Sequence, residues 1–196
     1  MLGDAMPQPL ATVYTVGHSR HPLPMLRGLL ASHGIGLLVD VRRYPTSRIA
    51  PQHRQTPLRA ALTEAGIGYL YLGQEWGGLL EAIETDAAAQ ARFTAGLIRL
   101  QPVLASTPLA LMCAEADPRR CHRAHWIAPR LQAVGHAVQH ILPDGTLLRH
   151  DALDPVSRRS GRTAPDSATQ LGLPFPKEVG LNRSSVTAAI GCAPLK

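Results

Sequence analysis

Five short apolar runs recur along the first 150 residues, and segments with helical spacing separate them. The runs cover residues 11–17, 35–41, 67–73, 108–114 and 136–142. The second and fourth, IGLLVDV and PLALMCA, are apolar at nearly every position, which is typical of strands covered on both faces. Such strands alternating with helices predict an α/β fold, because right-handed crossovers place helices on both faces of a mostly parallel sheet. We therefore expect a three-layer, Rossmann-like arrangement with about five strands.

Four helices are predicted between these strands from apolar residues spaced three and four apart. They cover residues 22–34, 56–66, 86–105 and 121–135. In the second helix, Thr56 takes the position of an N-cap and Pro57 the first helical position. In the fourth, Pro129 predicts a kink or a boundary, because proline has no N–H to donate.

The alternation ends near residue 150, which predicts one α/β domain over residues 1–150. Residues 151–196 are rich in Ser, Pro, Gly, Arg and Thr and predict a flexible C-terminal tail. No apolar run approaches the ~18 residues of a membrane span, so we expect no membrane insertion. The N-terminal residues lack the pattern of a secretory signal, and three cysteines argue against a disulfide framework. Together these features favour a cytoplasmic protein.

The formal net charge is +6, of which residues 1–150 carry +4 and residues 151–196 carry +2. The excess is therefore not confined to the tail. It favours an anionic partner, either a phosphate-like small molecule or a nucleic acid, although simple arginine richness is the alternative. The most basic stretch runs from Val41 to Arg59 and contains no acid.

Polar, ionisable and glycine residues follow the predicted strands, whereas the opposite ends of the strands have only short turns. Ligands of such sheets bind beyond the carboxyl ends of the strands, so these loops predict one shared site. The loops read GHSRHP at 17–22, RRYPTSRIAPQHR at 42–54, GQEWGG at 73–78 and CAEADPRRCHR at 113–123.

The first two loops supply most of the candidate ligand-binding residues. Gly17 permits a close backbone approach to a ligand, and Ser19 either binds an anion or caps the next helix. Asp40 and Arg42 share one face of a strand and form either a structural ion pair or an arginine fork for phosphate. In the third loop, Glu75 is an acid/base candidate or a loop anchor, and Trp76 is expected to pack over the sheet. The ligand-binding set is Gly17, His18, Ser19, Asp40, Arg42, Ser47, Arg48, Gly77, Gly78 and Arg123.

The segment CAEADPRRCHR joins a strand end to a helix start, with Asp117 placed as a cap and Pro118 at the first helical position. Four interpretations compete for its chemistry. Cys113 and Arg119 fit the C-x5-R pattern of cysteine phosphatases, but two intervening acids would repel a phosphate. The cysteines could form a redox pair or, with His122 and His18, a metal site, although their seven-residue separation suits neither pattern.

The fourth interpretation, which we favour, gives proton transfer to Glu115 and His122 and anion binding to Arg123, with the cysteines filling space. The candidate catalytic residues are Glu115, His122, Cys113 and Cys121. No metal ligand is predicted, and the sequence identifies no cofactor.

The motifs resemble one known family when they are taken together. GHS begins at Gly17, DVR with a following proline and serine-arginine begins at Asp40, LG-x-x-x-GG begins at Leu72, and C-x-E-x-x-P-x-x-C-H-R begins at Cys113. In this order, over about residues 12–150, they resemble the bacterial and archaeal family called domain of unknown function 488. The resemblance implies an α/β fold and a shared site, but no established reaction. The positions it marks are Gly17, His18, Ser19, Asp40, Arg42, Pro45, Ser47, Arg48, Gly73, Gly77, Gly78, Cys113, Glu115, Pro118, Cys121, His122 and Arg123.

We therefore expect a polar site at the strand ends that belongs to an enzyme with an anionic ligand. In this hypothesis His18 and Ser19 orient the ligand and Arg42, Arg48 and Arg123 bind it. The alternative is a non-catalytic module that binds nucleic acid or serves in metal or redox binding.

Overall fold

A computed structural model describes residues 10–78, 85–104 and 106–153. The strands in chain order are β1 (Thr12–Gly17), β2 (Leu37–Asp40), β3 (Gly68–Tyr71), β4 (Leu109–Cys113), β5 (Ala137–Ile141) and β6 (Leu147–Arg149). The helices are α1 (Leu23–Ser32), α2 (Gln55–Glu64), α3 (Gly73–Trp76), α4 (Ala87–Leu104) and α5 (Ala128–Ala133). Residues 154–196, which contain most of the predicted tail, lie outside the described part.

The six strands form one sheet in the order β3-β2-β4-β1-β5-β6. The first five are parallel to one another, which confirms the predicted mostly parallel sheet. The sixth pairs antiparallel with β5 and was not predicted. It has only three residues, too few for a hydrophobic pattern, and the PDG turn at 143–145 returns the chain beside β5.

Each face of the sheet is covered by its own hydrophobic cluster, as expected for three layers. One cluster joins Leu26 and Leu30 of α1 with Leu58 and Leu62 of α2. The other holds the buried side chains of α4 and α5. Strand side chains alternate between the clusters, so that Leu111 packs on one face and its neighbours Ala110 and Met112 on the other.

Two helix boundaries show how proline acts on this chain. Helix α2 begins at Gln55, so Thr56 and Pro57 lie inside its first turn and Thr56 is not the predicted N-cap. Before α5, residues Arg123–Ile127 form a π-helical turn, and Pro129 follows at the start of α5. The predicted boundary at Pro129 is confirmed, because a proline has no N–H to continue the ladder and the preceding turn widens.

Within the described residues, every helix is too short or too polar to reach across a bilayer.

A buried polar chain ties β1 to the end of the described fold. Arg123 Nε donates to Thr15 Oγ1 at 3.1 Å, and this hydroxyl lies 2.7 Å from His140 Nδ1. The Thr15 hydroxyl oxygen therefore accepts from Arg123, and the same hydroxyl shares a second hydrogen bond with His140 Nδ1. His140 Nε2 then faces His150 Nδ1 at 3.0 Å. Both ring nitrogens of His140 are therefore engaged inside the fold, away from water.

This arrangement predicts a loss of stability in acid. Burial, with His150 and Arg123 nearby, lowers the pKa of His140 from 6.5 to about 3. Below pH 6.5 His140 binds a proton in the unfolded chain but stays unprotonated in the folded chain until about pH 3. The free energy of unfolding therefore falls as the pH decreases. One such group contributes about 1.4 kcal/mol per pH unit across this window. Urea unfolding of His140→Gln should therefore show a shallower decline between about pH 6 and pH 4 than wild type.

His125→Gln is the matched control, since it removes one imidazole outside this chain of contacts. An unchanged pH slope in His140→Gln would mean that His140 accepts a proton in the folded state.

Candidate functional site

A cleft of about 450 Å³ lies above the carboxyl ends of three adjacent strands, β2, β4 and β1. The crossovers change direction here, because the chain first moves outward to β2 and β3 and later to β5 on the opposite side. Ligands of open α/β sheets bind at such switch points. The described residues that line the cleft are His18, Arg42, Arg43, Tyr44, Thr46, Ser47, Gly78, Cys113, Ala114 and His122.

Arg42 is held at the cleft by a buried ion pair with Asp40. Its Nε donates to Asp40 Oδ1 at 2.9 Å and its Nη2 donates to Oδ2 at 2.6 Å. The Tyr69 hydroxyl also donates to Oδ2, at 2.9 Å, and burial together with Asp40 raises the pKa of Tyr69 far above its usual value. A buried charge is tolerated when it is paired and hydrogen-bonded in this way. Asp40 therefore orients Arg42 and is not among the residues that line the cleft.

His18 completes the support of Arg42. Its Nδ1 lies 2.8 Å from the Ser19 carbonyl oxygen, which can only accept, so Nδ1 carries the proton. The Nε2 lone pair then accepts from Arg42 Nη1 at 3.1 Å. Burial first, and then the charge of Arg42, lower the pKa of His18 to about 3, so the ring is neutral at neutral pH. Its ring also packs on that of His53, with centroids 4.3 Å apart.

The floor of the cleft holds two sulfurs and one imidazole nitrogen. His122 Nε2 donates to the Val41 carbonyl oxygen at 3.2 Å, which leaves the Nδ1 lone pair on the opposite side. This Nδ1 lies 3.4 Å from Cys113 Sγ and 3.8 Å from Cys121 Sγ. All three atoms lie within 4.8 Å of one another, which is compact enough to hold a metal ion.

The two thiols differ in acidity because they interact with each other. A hydrogen bond from Cys121, the charge of Arg123 and the backbone N–H groups of Glu115 and Ala114 outweigh burial and lower the pKa of Cys113 to about 7. The same pairing with Cys113, together with burial, raises the pKa of Cys121 to about 12. The pair thus favours one thiolate, on Cys113, near neutral pH.

Arg123 braces this floor from behind. It is fully buried, and its Nη1 and Nη2 donate to the carbonyl oxygens of Glu115 and Ala116 at 2.5 and 3.0 Å. The third contact is the one to Thr15 described above. Arg123 therefore holds the loop after β4 against β1, and it is not among the residues that line the cleft.

More than half of the chain matches one known sequence family. The sequence model of one family, described as "Domain of unknown function DUF488", matches residues 24–128. The chain belongs to this family. The matched span contains Arg42, Cys113, Cys121, His122 and Arg123, whereas β1 and β5 lie outside it. No curated protein matches the chain, and no solved structure matches it.

The DUF488 fold gathers part of the predicted site and places the rest behind it or away from it. Six predicted residues line the cleft, namely His18, Arg42, Ser47, Gly78, Cys113 and His122. Behind the lining lie Gly17, Asp40, Gly77, Cys121 and Arg123, so the predicted role of Arg123 as an anion clamp differs from the bracing role in the structure. Ser19, Arg48 and Glu115 are not among the lining residues, and the side chain of Glu115 is exposed.

Four lining residues were missed, namely Arg43, Tyr44, Thr46 and Ala114. The first three belong to the acid-free stretch after β2, and its basic character was the available signal. The group of Cys113, Cys121 and His122 was considered as a metal site from the sequence but was not favoured, and in the structure the ligand atoms of these three residues lie together. Its sequence spacing is unlike a zinc knuckle, and only the turns between β4 and α5 bring the three atoms together.

Glu75, Trp76 and Asp117, which belong to the predicted loops, make contacts that support the fold. Trp76 packs on Phe93 and donates from Nε1 to its carbonyl oxygen, as expected, and Glu75 pairs with Arg99. The first four residues of the GQEWGG segment form the short helix α3. In the loop after β4, Asp117 caps the 3₁₀ turn Pro118–Arg120 by accepting a hydrogen bond from the backbone N–H of Arg119 at 3.0 Å.

The C-x5-R pattern does not form a phosphatase-type cradle. The Arg119 side chain is exposed and pairs with Asp117 at 2.9 Å. A cysteine phosphatase binds the phosphate through an arginine beside its cysteine. Beside Cys113 the structure has His122 and not Arg119.

Gly17 is required by a close approach. A Cβ on Gly17 would lie 1.9 Å from the carbonyl oxygen of Glu115, and the nearest atoms it would meet all belong to the backbone. Gly17→Ala must therefore displace the loop that Arg123 holds, and we expect it to destabilise the fold by about 1–3 kcal/mol in urea unfolding.

Gly28→Ala is the matched control, because a Cβ at this position in α1 meets nothing within 4 Å. It should stabilise the protein by about 0.5–1 kcal/mol, since alanine favours the helix. Equal stability of the two variants would contradict the close packing of Gly17.

Proposed function

We propose that this DUF488 chain is an enzyme that binds a small anionic ligand, phosphate-like or a nucleotide, in the cleft. Cys113 and His122, at the floor, act on the ligand either directly or through a metal ion that they hold. The proposal is supported by the charge and chemistry of the lining residues and by their place at the strand ends.

The charge of the lining carries the argument. Among the described lining residues, the charged side chains are Arg42 and Arg43, hydroxyls come from Tyr44, Thr46 and Ser47, and none has a carboxylate. The nearest strand carboxylate, Asp40, is buried and paired with Arg42. Such a lining attracts anions and offers them charge-assisted hydrogen bonds.

Arg42 is preorganised for such a ligand. Its contacts to Asp40 and His18 use three of the five N–H groups of a guanidinium, and none of its partners in the described structure takes the other two. The side chain is only 5% exposed, so a ligand in the cleft would meet a nearly desolvated charge. A fixed arginine loses little conformational freedom on binding, which strengthens the net interaction.

A nucleic-acid module is the second candidate, and one surface favours it. Tyr44 is 66% exposed at the cleft, and the Arg43 guanidinium lies 5.4 Å from its ring centroid. Exposed arginines continue along the same acid-free stretch at Arg48, Arg54 and Arg59. Aromatic rings and arginines of this kind bind single strands with steep salt dependence.

Thermal denaturation should separate the two functions. Inorganic phosphate, adenosine monophosphate, a sugar phosphate and a short single-stranded oligonucleotide are each tested at two salt concentrations. A ligand at about 100 times its dissociation constant stabilises a protein by about 2.7 kcal/mol. We expect a small anion to stabilise wild type, and Arg43→Ala to weaken this binding by about tenfold through loss of one charged hydrogen bond.

Arg27→Ala controls for the loss of one positive charge, since Arg27 is on α1 and pairs weakly with Glu64 at 3.9 Å. Stabilisation by the oligonucleotide alone, lost at high salt, would overturn the small-ligand proposal in favour of the nucleic-acid module.

Conversion of the ligand tests the enzymatic part. A phosphate-bearing compound that stabilises the protein is incubated with it and followed by ³¹P NMR. We expect slow conversion by wild type and none by His122→Gln, which keeps a donor for the Val41 carbonyl but lacks the Nδ1 lone pair. Binding without conversion by wild type would leave a binding protein and contradict the enzyme.

A further inference from the structure

We infer that Cys113, Cys121 and His122 form a binding site for one Zn²⁺ ion, with a fourth coordination position open to the cleft. The ion site stands on its own geometry. What the fourth position does rests on the proposed function, because there it would meet the anionic ligand.

The two sulfur-to-nitrogen separations match a tetrahedral zinc centre. With Zn–S near 2.3 Å and Zn–N near 2.0–2.1 Å, a tetrahedral S–Zn–N angle places sulfur and nitrogen about 3.6 Å apart. His122 Nδ1 lies 3.4 Å from one sulfur and 3.8 Å from the other. One distance is slightly shorter and the other slightly longer than the separation expected at zinc. All three ligand atoms lie within 4.8 Å of one another.

His122 is oriented as a metal ligand. Its Nε2–H donates to the backbone carbonyl of Val41, and this contact fixes both the tautomer and the plane of the ring. Metal-binding histidines nearly always donate their other N–H to a carbonyl or carboxylate in this way. The lone pair on Nδ1 is thereby directed at the two sulfurs.

The number of ligands and their exposure indicate an open position. Cys113 and His122 line the cleft, whereas Cys121 is only 2% exposed and lies behind them. Within the described residues the group contains three ligands. Zinc sites with three protein ligands keep the fourth position for water or substrate, and a bound ion there acts as a Lewis acid.

The fourth ligand would lie on the same side as Arg42, since both face the cleft. Two thiolates and one neutral imidazole balance the charge of Zn²⁺, and the arginines remain to attract an anion. An oxygen of a phosphate-like ligand is suited to both the ion and the arginine fork.

The metal content of the intact protein is the first test. The full chain is purified under reducing conditions without chelator, equilibrated with excess Zn²⁺, desalted, and measured by mass spectrometry of the metal. We expect one zinc per chain in wild type and protection of two thiols from alkylation. A wild-type protein that retains only traces of zinc after this treatment overturns the inference without recourse to any variant.

Substitutions then locate the ion. Cys121→Ser and His122→Gln should each weaken zinc binding on the order of 100-fold or more, because a lost ligand costs at least as much as a lost supporting contact. Cys192→Ser, which removes the third cysteine of the sequence, should retain one zinc. Circular dichroism confirms that each variant is folded, and full zinc retention in folded Cys121→Ser and His122→Gln would contradict the site.

Cobalt tests the open position. Co²⁺ bound to the wild-type protein should give sulfur-to-metal charge-transfer absorption and tetrahedral d–d bands. Added inorganic phosphate should shift the d–d bands, and Arg43→Ala should require a higher phosphate concentration for the same shift. Co²⁺ d–d bands whose position does not change when phosphate is added would refute the open position. Anion stabilisation without any metal binding would refute the zinc site and leave the proposed function standing.

Discussion

The fully buried guanidinium of Arg123 connects the parts of the molecule that build the cleft floor. It joins Thr15 of β1 to the carbonyl oxygens of Glu115 and Ala116, which follow β4. Because Arg123 directly follows Cys121 and His122 in the chain, its anchoring also sets where those two side chains lie. Three separate segments are therefore held to one another by a single cation. The absence of a side chain at Gly17 lets the loop approach closely enough for this to happen.

A second rigid unit faces this floor across the cleft. Asp40, Tyr69 and His18 determine the position of the Arg42 guanidinium before any ligand arrives. Neutral His18 is essential to this unit, since a protonated ring would have no lone pair for Arg42 and would place a second positive charge beside it. The cleft thus combines a preoriented cation on one side with two sulfurs and a nitrogen on the other.

Local patterns were sufficient for some features and insufficient for others. Apolar runs and helical spacing predicted the parallel sheet. Side-chain alternation left an Asp40–Arg42 ion pair as one of two possibilities, and the structure contains that pair, although the strand ends at Asp40. The direction of Arg123 could not be predicted, because it lies at the start of a π-helical turn whose geometry depends on Pro129 and on tertiary contacts. The grouping of Cys113 with Cys121 and His122 also needs the short 3₁₀ turn Pro118–Arg120 between them, which shortens the path from β4 to the next helix.

The charge of the floor links its structure to the proposed anionic ligand. Asp40 compensates Arg42, but within the described residues the contacts of Arg123 are a hydroxyl and two carbonyl oxygens, with no carboxylate. A buried cation is unfavourable unless a negative charge lies nearby. The Cys113 thiol is placed to supply that charge, since the hydrogen bond from Cys121 and the charge of Arg123 lower its pKa to about 7. In the proposed zinc site the two thiolate charges cancel the two charges of the ion. The charge of Arg123 is then uncompensated, and the floor carries one net positive charge. An anion at the fourth position of the proposed zinc site would restore the balance, so the buried arginine that shapes the floor supports the proposal of an anionic ligand.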